Sequence, residues 1–178
     1  MIGPLSRDFT APWQSRTIQD LIQTLLIAEA TYPSAQLWVL SGWITDLPML
    51  DNSARSFSGV APDWPTGGVE FSRVLQTIAR RGGRVAVVVR DVDHNANFIR
   101  RVRSLQTEAE GRLGLAVSSN AHEKALVGDD YVLGGSMNFT RNGMTASDEH
   151  LLLRVDREAA ASRRLALDAR WTDKIQWG

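Results

Sequence analysis

The apolar residues of this chain change period again and again, and that alternation limits its fold more than any other feature. From Ser15 to Ala30 they fall at Ile18, Leu21, Ile22, Leu25 and Leu26, one face of a helix. Gln36 to Ile44, QLWVLSGWI, is instead a run of strand length, entered through the break Tyr32-Pro33-Ser34. Helical spacing returns from Val69 to Arg81 through Phe71, Val74, Leu75 and Ile78. Gly82-Gly83 closes it before a strand over Arg84 to Val89. A helix over Ala96 to Thr107, a strand over Leu113 to Ser118, a hairpin, a strand over Glu149 to Val155 and a helix over Arg157 to Ile175 complete the series. Such a series predicts an α/β fold, a layered sheet with helices on its faces. With no internal repeat, residues 1–178 are expected to form one domain, long enough to bury a real core. Asp46 to Gly68 stands apart as a long irregular insertion rich in Pro, Gly, Ser and Asp. Loops of that length are often functional. Trp64 and Arg55 within it are candidates for substrate contact, with packing or a partner surface as the alternative.

Composition removes several classes of function. Without cysteine the chain has neither disulfides nor a thiolate metal site. Its first residues, MIGPLSRDFTAPW, lack the basic start and apolar run of a secretory signal. The strongest apolar run, Val85 to Val89, is too short to span a bilayer. The expected location is therefore cytoplasmic, with no membrane contact. A net charge of zero provides no overall field toward nucleic acid. Of 20 basic residues only Lys124 and Lys174 are lysine. The arginine fork suits phosphate, although the codon usage of a GC-rich genome is the simpler explanation of the bias.

Lys124 lies in the stretch that carries the chemistry, Ala121 to Asn138, AHEKALVGDDYVLGGSMN. In an extended strand alternate residues share a face, so His122 and Lys124 can address one point. A histidine can attack phosphorus or pass a proton near neutral pH, and an adjacent ammonium can hold a phosphate oxygen. The pair points to phosphoryl chemistry without a metal or other cofactor. His94 and His150 read as ordinary packed or exposed histidines. Asp91, Asp93 and His94 follow a strand; an oxygen-rich metal site is conceivable there, but a turn capping the next helix is the simpler reading. Arg100, Arg101 and Arg103 suit a solvated helix face better than a nucleic-acid groove.

The pattern His122-x-Lys124-x4-Asp129, followed by Gly135-Ser136-x-Asn138, Phe139-Thr140 and Glu149, resembles the signature of the phospholipase D superfamily. The stretch before it, with its Arg80-Arg81-Gly82-Gly83-Arg84-Val85 junction, is similar too, and the likeness extends over roughly the C-terminal two-thirds of the chain. The resemblance implies a mixed sheet flanked by helices and a two-step phosphodiester transfer that needs no metal. Single-motif members of that family build one site from two chains, which implies a homodimer. Carried over by position, His122 is the nucleophile, forming a phosphohistidine, and the partner's His122 is the acid and then the base. Lys124 and Asn138 bind phosphate oxygens, Ser136 supplies a supporting hydroxyl, and Glu149 orients the imidazole. A carboxylate on one ring nitrogen does fix the tautomer and favour the imidazolium. Asp129, at a turn, reads as a structural anchor.

Between Asp129 and Gly135 the chain is one residue shorter than is usual in that family, so face parity matters. A two-residue loop at Asp129-Asp130 sets residue 124 opposite 135 and 122 opposite 137, turning Ser136 and Asn138 away from His122 and Lys124. A three-residue loop at 128–130 pairs 122 with 136 and brings all the polar residues to one face; a bulge at Gly134-Gly135 serves equally. The resemblance implies a nuclease acting on nucleic acid. The alternatives are a weakly active nucleic-acid-binding or complex-forming subunit, working with other proteins of a bacterial DNA-modification or defence system, and a phospholipase.

Overall fold

Two strands, β2 (Gln36–Ser41) and β5 (Arg84–Arg90), are apolar almost throughout because both of their faces are covered. The computed structural model, which describes residues 5–145 and 147–178, places them at the centre of an eight-stranded mixed sheet. Around them stand β1 (Leu5–Thr10), β6 (Leu113–Ser118), β7 (Ala125–Val127), β8 (Tyr131–Gly135), β9 (His150–Val155) and β10 (Gln176–Trp177). Their order is β1-β9-β8-β7-β2-β5-β6-β10. β2, β5 and β6 run parallel, and every other pairing is antiparallel.

Alternate side chains feed two cores. Leu37 and Val39 of β2 and Val85, Val87 and Val89 of β5 pack against α1 (Ser15–Thr31), α2 (Phe71–Arg80) and α3 (Ala96–Gln106) through Ile18, Ile22, Leu75, Ile78, Phe98 and Val102. Trp38, Leu40, Ala86 and Val88 point the other way, toward Leu167, Trp171 and Ile175 on and just after α5 (Arg157–Trp171). Helices thus flank both faces, as expected. The second face is covered less completely at the β8–β9–β1 end, where Leu152 is 39% exposed.

β1 was not foreseen in the sequence, and its burial explains why. Of its six residues only Phe9 is buried, so an edge strand leaves almost no alternating signal. The Asp46–Gly68 insertion is also more ordered than its composition implies. β3 (Pro48–Asp51) pairs with β4 (Gly68–Glu70), and Ala61 and Trp64 enter the main core. Trp64 is 5% exposed and donates from Nε1 to Thr77 Oγ1 at 2.8 Å, so it packs on α2 and is not a substrate contact. Asp63 pairs with Arg73 and Arg80, also of α2.

A buried polar knot holds the β7–β8 hairpin to the start of β2. Asp129 accepts from the Ala35 amide at 2.8 Å and pairs with Arg164 of α5, while its own amide donates to Ser34 Oγ at 2.9 Å. Ser34 in turn donates from its amide and hydroxyl to Glu29, which is 3% exposed. Asp129 thus makes contacts with the start of β2 and with α5. Burial pushes the Glu29 carboxyl above its ordinary value, and the nearby Asp129 charge adds to the shift. The folded chain thus holds that proton more tightly than the unfolded one, so the group's stabilising contribution is full at low pH and fades as pH rises through the raised value. Glu29→Gln, neutral throughout, is expected to gain stability relative to the wild type as pH rises from acidic to neutral. Urea midpoints across that range measure it, and a constant difference between the two proteins contradicts it.

Candidate active site

The parallel strands β2 and β5 end on the same side of the sheet as the segment leading into β7, and the polar motif collects at that end. Crevices at the carboxyl ends of parallel strands are where α/β sheets commonly bind ligands. His122 and Lys124 lie in the irregular segment before Ala125. Lys124 Nζ stands 3.1 Å from His122 Nδ1 and donates to the His122 carbonyl at 2.6 Å. His122 is exposed and Lys124 half-buried. Partial burial pulls the Lys124 ammonium below its ordinary value; the Glu149 carboxylate opposes this, and the Arg90 guanidinium adds to it.

The hairpin adopts the two-residue register, with Ala125 opposite Gly134, Leu126 opposite Leu133 and Val127 opposite Val132. The three-residue loop is therefore not formed. Ser136 still reaches the charged cluster, because the β7 ladder has ended and parity along it no longer governs where side chains point. The Gly135 amide donates to the Lys124 carbonyl, and beyond it Ser136 bonds to the neighbouring strand instead, from its amide to the His150 carbonyl at 2.9 Å. Gly135 passes so close to that strand that a Cβ there would overlap the His150 carbonyl, so this path requires glycine. The Ser136 hydroxyl donates to Glu149 Oε2 and accepts from the His150 amide at 3.0 Å.

Glu149 thus reaches the site by way of Ser136 and the field of Lys124. No hydrogen bond joins it to His122, where the resemblance implied one; Lys124 occupies that Nδ1 instead. Asn138 accepts at Oδ1 from the Trp43 amide at 2.9 Å, which leaves its amide nitrogen for a ligand. Gly42 lets it lie against the histidine: a Cβ there would stand 3.3 Å from Asn138 Oδ1 and 3.7 Å from His122 Cα.

Two residues of this end escaped the sequence reading. Asn95, fully buried, accepts from the Ile44 amide at 2.8 Å and donates to the carbonyls of Gly42 and Arg90 at 2.9 and 2.8 Å. It ties the turn after β2 to the end of β5. Arg90 adds a second positive group beside Lys124, braced by the Ser119 carbonyl. The one available signal was their position at and just beyond the end of the Arg84–Val89 run. His94 pairs with Thr45 Oγ1 at 3.1 Å and lines a cavity of about 630 Å³ together with Trp43, Asn138 and Glu149. Asp91, Asp93 and His94 make no metal-binding group; Asp93 to Asn95 form a short 3-10 turn before α3, with no side-chain cap. Arg100, Arg101 and Arg103 are exposed on α3.

A family model described as cardiolipin synthase, PLD-like domain, matches residues 48–171. No curated protein matches the chain. Among solved structures, Nuc, a phospholipase D family member from Salmonella typhimurium, superposes with a TM-score of 0.62 at 17% identity, over 98% of this chain and 97% of that one. NucT from Helicobacter pylori gives 0.60 at 15% identity, over 99% of this chain and all of that one (100%). TrmBL2, an archaeal chromatin protein, gives 0.55 at 10% identity, over 94% of this chain and 52% of that one. The three share the fold. Among the described residues no helix is long and apolar enough to cross a membrane.

Proposed function

Because the chain belongs to the phospholipase D-like family, we propose that it is a phosphodiesterase, and specifically a nuclease, that works through a phosphohistidine in a site shared by two chains. The observation that carries this reading is the His122–Lys124 pair, an exposed imidazole with an ammonium 3.1 Å from its Nδ1 and a second cation, Arg90, behind it. That combination suits a phosphate monoanion, since the cations neutralise the charge that builds on its oxygens as the imidazole attacks.

In the first step His122 Nε2 attacks phosphorus, and the bond to the leaving oxygen breaks as that oxygen takes a proton from the partner's His122. In the second, the partner's His122 takes a proton from water, the water oxygen attacks phosphorus, and the P–N bond breaks to release His122. Attack from Nε2 requires the proton on Nδ1. A phosphate oxygen that draws the Lys124 ammonium to itself frees Nδ1 for that proton, and Glu149 is the acceptor we assign to it. Ser136 holds the carboxylate until then, and the Asn138 amide joins Lys124 on the phosphate. The need for a second histidine is what calls for two chains. Of the other two histidines of the chain, His150 pairs with Asp8 and His94 with Thr45.

The direct test is hydrolysis of bis-p-nitrophenyl phosphate with and without excess chelator. Turnover that persists in EDTA is expected, and turnover lost with the metal refutes the two-histidine route. Headgroup release from phospholipid vesicles, in place of strand cleavage, would select a lipase. A catalytically silent protein that still shifts DNA or RNA would select the binding subunit.

A further inference from the structure

Three tryptophans, Trp38, Trp64 and Trp171, are buried, but Trp43 is 51% exposed at the wall of the 630 Å³ cavity beside the site. Its backbone is fastened: the amide donates to Asn138 Oδ1 at 2.9 Å and the carbonyl accepts from Ser41 Oγ. Gly42, the residue before it, is the point where Asn138 and the His122 backbone close in. The Trp43 backbone thus lies one residue from the point where the His122 backbone closes in, and Trp43 shares its cavity wall with Asn138 and Glu149. The rest of the wall is largely polar, with Thr45, His94, Asn142 and Ser147 among its residues.

A flat aromatic face ringed by hydrogen-bonding groups matches a nucleobase, which has an apolar π-face and a polar edge. The volume accommodates a nucleotide unit beside the phosphate. Charge points the same way. With a net charge of zero, the chain cannot rely on a general positive field to hold a strand, so a sequence-tolerant stacking contact has more to contribute.

Building on the nuclease reading, we propose that Trp43 is a stacking platform for the base next to the scissile phosphate, which makes single-stranded nucleic acid the substrate class. A paired base in a duplex has both faces covered by its neighbours, so only an unpaired one can lie on the indole.

The test uses thymidylyl-thymidine, which has one phosphodiester, and its two analogues lacking one base or the other. The preference for the full dinucleotide over one of these analogues, as a ratio of kcat/KM values, is expected to fall roughly tenfold in Trp43→Ala and to be largely retained in Trp43→Phe. A ratio unchanged for both analogues overturns the platform. So does a Trp43→Ala protein that sediments as a monomer where the wild type is a dimer, since the indole would then be a subunit contact. A second measurement is independent of turnover. His122→Ala protein should bind a labelled oligo(dT) more tightly than an abasic strand of equal length, and should lose that difference when Trp43→Ala is added. Equal binding of the two strands overturns the proposal even if the protein cuts neither. Base-selective binding without bis-p-nitrophenyl phosphate hydrolysis leaves the platform standing and removes the nuclease.

Discussion

Replacing His122 with alanine is expected to lower phosphodiester turnover by on the order of 10³-fold or more, because in the proposed mechanism it deletes both the attacking nitrogen and, in the partner, the group that moves the proton. His122 is exposed and outside any strand, so the fold should be untouched and the thermal midpoint unchanged. Turnover near the wild-type level would put the chemistry elsewhere. The same variant tests the shared site. A mixed dimer has one His122 and is expected to be dead, so mixtures allowed to exchange subunits should lose activity as the square of the wild-type fraction. A linear loss would mean that each chain works alone.

Lys124→Met keeps the length and the apolar stem of the side chain and removes the charge. It is expected to lower kcat by about 10²–10³-fold, the usual cost of losing one donor aimed at charge that develops in the transition state. KM should change less, since Asn138, assigned to the phosphate in the proposed mechanism, and the nearby Arg90 charge both remain. A rise in KM with kcat unchanged would recast Lys124 as a binding group only. His122→Ala and Lys124→Met should not be additive, because the ammonium has little left to stabilise once the imidazole is gone.

The central strands were legible because their neighbours cover both faces, which leaves nearly unbroken apolar runs at Gln36 to Ser41 and Arg84 to Val89. The helices showed for the opposite reason, each burying one stripe, as Ile18, Ile22 and Leu26 do in α1. β1 and the β3–β4 pair were missed: the first is an exposed edge, and the second joins two short strands across the irregular segment 52–67, a pairing that no local period records. The hairpin shows how a parity argument can be sound and still mislead. Its register turned out to be the one that pointed Ser136 away, but the ladder with β7 ends at Gly134 and the Ser136 side chain turns to Glu149.

The sequence by itself determined the order of the main helices and of the buried strands, and the closeness of His122 to Lys124, since both depend on spacing between near neighbours. Tertiary structure alone decided that Arg90 stands behind Lys124, that Asn95 clamps the turn after β2, and that Trp43 faces the cavity. These residues come from the ends of strands far apart in the chain, and no local period records which strand ends will meet. The meeting is set by the sheet order, which places β5, β2 and β7 side by side and brings their ends together at one end of the sheet.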